Sequence, residues 1–166
     1  MPTCTKNQAL DKIADALIAH SEEILEANKK DMAHAKEVNM TKAMQDRLLF
    51  THERIVGVSD GVKKVATLPD PIGEVMESWT RPNGLEISKV RVPIGVFGII
   101  YEARPNVTVD IASLCLKSGN ACVLRGGKEA IHTNKKLVEI MKCATKDILP
   151  EGAIELITEL DHAIVG

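Results

Sequence analysis

Two short segments of this chain set cations and glycines at the end of an apolar run. In the first, Val92-Pro93-Ile94-Gly95-Val96-Phe97-Gly98-Ile99-Ile100 leads into Tyr101-Glu102-Ala103-Arg104-Pro105-Asn106. The guanidinium fork of Arg104 matches a carboxylate or a phosphate, and the amide of Asn106 can donate to a developing oxyanion. In the second, Ala121-Cys122-Val123-Leu124 leads into Arg125-Gly126-Gly127-Lys128. Gly126 and Gly127 permit a tight turn with close backbone approach, and a helix opening there beside two cations favours phosphate. Each segment also has a plainer reading. Arg104 can pair with Glu102 at the surface while Asn106 caps the next helix, and 125–128 can be an ordinary strand-to-helix turn with basic residues in water. The second turn lacks GxGxxG spacing, so its residues alone identify no ligand.

Both segments need elements to hold them. Apolar runs dense in β-branched residues read as strands buried on both faces, and open α/β sheets place ligands at the carboxyl ends of such strands. Strands are expected at 94–100, 120–125 and 153–157, with helices at 107–118 and 129–147 and a turn at Pro150-Glu151-Gly152. Strands alternating with helices make βαβ units and a parallel sheet. Upstream, Leu10, Ile13 and Leu17 recur at helical spacing, and Ser21-Glu22-Glu23 opens a second helix over 21–36. A further helical stretch runs over 44–66 with Leu48, Ile55, Val58, Val62 and Val65 on one face. Thr51 and Glu53 can divide it in two, and Leu68-Pro69-Asp70-Pro71 stops it. Residues 79–81 and 85–90 flank Pro82-Asn83-Gly84 as a β-hairpin. The chain thus divides into a helical region at 1–78, a hairpin at 79–93 and an α/β region at 94–166.

Composition fits a folded domain of 166 residues, 45% apolar and 27% charged. A net charge of −2 gives no electrostatic case for nucleic acid or an anionic membrane, and no apolar run reaches the ~18 residues of a membrane span. The start, Met1-Pro2-Thr3-Cys4-Thr5-Lys6, lacks a signal-peptide pattern, so a cytoplasmic protein is expected.

No metal site is expected. Cys4, Cys115, Cys122 and Cys143 form no CxxC or Cys/His pair at zinc spacing, and Cys115 and Cys122 read as small buried apolar residues. His20, His34, His52, His132 and His162 share no ligand spacing and read as solvated, as do Glu22-Glu23 and Lys29-Lys30.

Gly-Ile-Ile-Tyr-Glu-Ala-Arg-Pro-Asn-Val-Thr at 98–108, with Lys117-Ser118-Gly119-Asn120 and Leu124-Arg125-Gly126-Gly127-Lys128-Glu129, closely resembles the glutamate-5-semialdehyde dehydrogenases. These γ-glutamyl phosphate reductases belong to the aldehyde dehydrogenase superfamily. Ala27-Asn28 with Asp31, Asp46-Arg47-Leu48, Leu68-Pro69-Asp70-Pro71 with Gly73-Glu74-Val75, and Pro82-Asn83-Gly84-Leu85 extend the resemblance along the chain. The chain is well under half the length of that family and corresponds to its N-terminal portion. The resemblance implies an α/β fold in which N-terminal helices and an oligomerisation hairpin lead into the first half of a parallel, Rossmann-like nucleotide-binding sheet, with the catalytic domain absent. It implies NADPH-dependent reduction of L-glutamate 5-phosphate to the semialdehyde in proline biosynthesis, by a homo-oligomer functionally associated with glutamate 5-kinase. It assigns the turn Arg125, Gly126, Gly127 and Lys128 to the cofactor, the cation pair suiting the 2′-phosphate of NADP. Arg104 and Asn106 would contact the substrate. The superfamily carries Pro-Trp-Asn where this chain has Glu-Ala-Arg-Pro-Asn, so either Arg104 or Asn106 can serve the oxyanion. The nucleophilic cysteine of the family lies beyond residue 166, and none of the four cysteines inherits its role. A chain of this length would then be inactive alone. Two other readings stay open: another NAD(P)-dependent aldehyde dehydrogenase, and a non-catalytic binding or oligomerisation module.

Overall fold

A computed structural model describes residues 1–159, so His162 lies outside the described residues. Helix α1 spans Thr3–Ala19 and buries Ala9, Leu10, Ile13, Ala14 and Leu17. Helix α2, Ser21–Glu37, carries Glu22 and Glu23 in its first turn and His34 and Lys36 in its last, matching its dipole at both ends. The stretch expected at 44–66 is two helices. Thr41 caps α3, Lys42–Leu48, by accepting from the Met44 amide, and Thr51 caps α4, His52–Thr67, by accepting from the Arg54 amide.

Strands β1, Val75–Thr80, and β2, Glu86–Val90, form the antiparallel hairpin with Trp79 opposite Ile87. Its first arm starts earlier than the aromatic and polar residues at 79–81 suggest. Backbone bonds between Gly73 and Arg91 and between Arg91 and Glu74 carry the pairing back past Val75. Gly84 turns the chain at φ 84°, a conformation that favours glycine.

The remaining elements alternate as expected: β3 Val96–Ile100, α5 Pro105–Lys117, β4 Ala121–Arg125, a 3₁₀ turn at Lys128–Ala130, α6 Ile131–Thr145 and β5 Ile154–Leu156. The three strands are parallel in the order β3-β4-β5, with Ile100 beside Arg125. One core joins the two ends of the chain, because Leu10, Ile13 and Leu17 of α1 cluster with Val109, Leu116, Leu124, Leu137 and Met141. The N-terminal helices therefore form the layer on which the sheet and its helices are packed.

The burial expected of β3 fails. The run at 94–100 is not buried on both faces: Ile94, Val96 and Ile100 are 80%, 66% and 61% exposed. Phe97 and Ile99 pack against the core, while the alternate residues of the same strand point away from it. β3 is an edge strand, and among the described residues nothing covers its outer face. An apolar run reports that a surface tends to be covered, not what covers it.

Candidate functional site

The carboxyl ends of β3 and β4 lie side by side, so the two segments singled out by their chemistry meet. The Tyr101 amide donates to the Arg125 carbonyl at 3.1 Å, extending the parallel ladder by one step into both loops. Below them runs a buried hydroxyl relay. The Tyr101 hydroxyl lies 2.6 Å from Thr108 Oγ1, which donates to Asn134 Oδ1 at 2.8 Å. Thr108 and Asn134 are fully buried, so this relay ties the first loop, α5 and α6 together. Burial pushes the Tyr101 phenol up to about 12 against the opposing effect of its hydrogen bond with Thr108, which leaves it protonated at neutral pH.

The glycine turn is shaped by space rather than by backbone angle. Gly127 has φ −61°, open to any residue. A Cβ on Gly126 would lie 3.1 Å from the Tyr101 ring and closer still to the Asn134 amide. A Cβ on Gly127 would collide with the Glu129 carboxylate and meet the backbone of Glu102 and Ala103 at 3.5 and 3.6 Å. Small residues thus let the two loops touch.

The helix following this turn does not offer its His132 and Thr133 amides to a ligand, contrary to the phosphate-binding geometry expected of it. Lys128–Ala130 is a 3₁₀ turn, and α6 begins only at Ile131. The first amides of α6 are already engaged: His132 N and Thr133 N donate to the two carboxylate oxygens of Asp31 at 3.1 and 2.8 Å. An anion at this turn would also meet side chains. Lys128 is exposed and Arg125 half-buried, while Glu129 sets a carboxylate beside them. A cation next to a carboxylate is a donor set that fits the phosphate and ribose hydroxyls of a dinucleotide.

In the first loop, Arg104 is the N-cap residue of α5 but contributes no side-chain cap, and Pro105 occupies the first turn with its fixed φ. Asn106 is therefore inside the helix, where its Nδ2 donates to Asp110 Oδ2 at 3.0 Å instead of capping. Among the described residues Arg104 makes no ion pair with Glu102, so neither half of the plainer reading is found. Arg104 and Asn106 both line a cleft of about 530 Å³, together with Arg47 and Asp110. A second cleft of about 530 Å³ reaches from Arg104 past Tyr101 to Gly127 and Glu129. Of the residues proposed from sequence, Arg104 and Asn106 line the first cleft and Arg104 and Gly127 the second; the two clefts share Arg47 and Arg104 and are together called the hollow. Arg125 and Lys128 line neither cleft.

The cysteines offer no nucleophile here. Cys115 and Cys122 are buried, and donating a hydrogen bond to Cys115, together with burial, pushes the Cys122 thiol well above its usual range. Cys4 and Cys143 are exposed, and neither lines the hollow. Among the described residues no three His, Cys, Asp or Glu side chains gather as metal ligands, and no helix is long and apolar enough to cross a membrane.

The profile described as "Aldehyde dehydrogenase family" matches residues 1–165. The chain belongs to the aldehyde dehydrogenase family. Members of this family use NAD(P). Within the family the chain is 56% identical over 160 residues to gamma-glutamyl phosphate reductase from Geobacillus sp. (strain WCH70), covering 96% of this chain and 39% of that protein. The crystal structure of gamma-glutamyl phosphate reductase from Thermotoga maritima superposes with a TM-score of 0.97 at 44% identity, covering 99% of this chain and 40% of that one. The Saccharomyces cerevisiae gamma-glutamyl phosphate reductase gives 0.91 at 35% identity, covering 97% and 42%. The chain spans about two-fifths of the length of these aldehyde dehydrogenase relatives.

Sequence reasoning missed Tyr101, Thr108, Asn134, Asp31 and Asp110 as site-building residues, and it quoted Arg47 only for the resemblance. Thr108 and Asn134 stand 26 residues apart, and no local pattern announces such a contact.

Proposed function

We propose that this chain supplies the cofactor turn and substrate loop of an NADPH-dependent reductase. The reductase converts L-glutamate 5-phosphate to L-glutamate 5-semialdehyde in proline biosynthesis. The observation that carries the reading is the junction of the two loops, where Arg104 and the Gly127 turn line one hollow at the carboxyl end of a parallel sheet. In this reading Lys128 and Arg125 meet the 2′-phosphate, Gly126 and Gly127 admit the loop, and Glu129 accepts from a ribose hydroxyl. Arg104 orients the charged substrate and Asn106 donates near the reacting carbonyl. NADPH supplies hydride when bound, and the nucleophilic cysteine comes from outside residues 1–166. The helices before the hairpin, the hairpin of β1 and β2 and the α/β part that follows serve as helical base, oligomerisation element and nucleotide-binding part. The setting is the cytoplasm, with a homo-oligomeric enzyme working beside glutamate 5-kinase.

A second reading has one observation in its favour. Glu129 stands at the turn where an acidic residue would bind the ribose of NAD, so an NAD-dependent aldehyde dehydrogenase is the alternative. Cofactor titration of the chain and of Lys128→Ala separates the two. The reductase reading expects Lys128→Ala to weaken NADPH by about tenfold or more while NADH is little changed. Equal losses for both cofactors, or no NADPH binding by the chain, overturn it.

A further inference from the structure

The hollow extends beyond the loops, to side chains of α3, α4 and α5 that the proposed reaction does not yet use. Its helix-side half lies between α3, α4 and the first turns of α5, where Arg47, Phe50, Val58 and Asp110 line it. Arg47 and Arg104 line both halves, so the two guanidinium-bearing residues stand where the halves join. Among the described residues neither guanidinium is engaged in a hydrogen bond or ion pair. Asp110 is held by Asn106 at its Oδ2, which leaves its other oxygen for a ligand. Arg54 fixes the backbone next to Arg47, since its guanidinium donates to the carbonyls of Asp46 and Leu49 and to Asp46 Oδ1. The helix-side half therefore offers a cation and a carboxylate across an apolar wall, and the loop-side half reaches the glycine turn.

We propose that the helix-side half binds the amino-acid end of a glutamyl substrate: Arg47 takes the α-carboxylate, Asp110 takes the α-ammonium, and Arg104 spans toward the acyl end. This rests on the reductase reading and adds how that enzyme tells an α-amino acid from a plain dicarboxylate. Fixed charges of both signs recognise a zwitterion. An arginine alone would hold any carboxylate, and the aspartate penalises ligands that lack the ammonium. Phe50 and Val58 give the intervening methylenes an apolar surface.

The test is calorimetric titration of the chain with L-glutamate and with glutarate, which has the same two carboxylates and no ammonium. The chain is expected to prefer L-glutamate. Arg47→Met should weaken both ligands by about tenfold, with Arg47→Lys recovering only part because the planar fork is lost. Asp110→Asn should weaken L-glutamate by about tenfold and leave glutarate unchanged or tighter, erasing the preference. Thermal melts matching the parent show that each variant is folded. Failure of the chain to bind L-glutamate at millimolar concentration overturns the proposal, as do variants whose affinities for both ligands stay within about twofold. NADPH titration of the same proteins reads the reductase proposal separately. Glutamate binding in this pattern without NADPH binding would sink the cofactor reading and leave the zwitterion site standing.

Discussion

Asp31, two turns from the end of α2, caps α6 through Thr133. Its Oδ2 accepts from both the backbone amide and the hydroxyl of Thr133, at 2.8 and 2.6 Å, and the carboxylate is 2% exposed. Asn28, one turn earlier on α2, donates to the same hydroxyl at 3.2 Å and to the Leu48 carbonyl at 2.9 Å, and accepts from the Phe50 amide at 2.8 Å. A helix in the N-terminal region thus sets the start of α6 and, through the chain leading into it, the height of the glycine turn. It also fixes the end of α3, the helix that carries Arg47, and the connection from there to α4.

Removing that carboxylate should unfold the chain more readily. Asp31→Ala strands the amides of His132 and Thr133 in the interior, and buried hydrogen bonds to a charged group are worth ~1.5–3 kcal/mol each before relaxation. The expected loss of stability is about 2–4 kcal/mol, read from the urea midpoint. A loss under about 0.5 kcal/mol, as for an ordinary surface change, would mean the cap contributes nothing.

The two glycines of the turn should respond differently to alanine. At Gly126 the added methyl meets the half-buried Tyr101 ring and the Asn134 amide, neither of which can leave without breaking the hydroxyl relay. Overpacking of this kind costs about 1–3 kcal/mol. At Gly127 the closest group is the end of the Glu129 side chain, which can swing into solvent. Gly127→Ala should be milder in stability yet change the hollow. Denaturation of both variants side by side checks the ranking, and equal losses would contradict it.

Acid should weaken the junction between α1 and the segment after α4. Burial raises the Asp70 carboxyl, but the Lys6 ammonium at 2.8 Å, the Thr3 hydroxyl and the Ile72 amide outweigh it and hold the group at about 2, below its ordinary 3.8. A folded-state value below the unfolded one stabilises the native chain above about pH 4, and this is lost as pH falls toward about 2. Screened by nearby solvent, the contribution is about 1–2 kcal/mol. Asp70→Asn should be less stable than the parent at pH 7 by at least this amount, since Lys6 is 2% exposed and loses its counter-charge. The gap between the two should close between about pH 4 and pH 2, measured by urea denaturation at each pH. A constant gap across that range would refute the assignment.

By itself the sequence determined the order and kind of the elements. Period and punctuation are local: Thr51 divides α3 from α4, Asn83-Gly84 turns the hairpin, and the apolar runs ending at Ile100 and Leu124 read as strands because each is too short for a helix and is bounded by glycine or turn residues. It also located the two loops that meet at the sheet's carboxyl end, since the βαβ order forces consecutive strand ends together. Three things were decided only by the tertiary structure. The amides of α6 go to Asp31 rather than to a ligand, because a carboxylate about a hundred residues away in sequence reaches them first. Asn106 turns to Asp110 rather than capping, because Pro105 starts the helix one residue before it. Val96 and Ile100 face outward, because a strand's composition says that its faces are apolar while only its neighbours decide which face is covered.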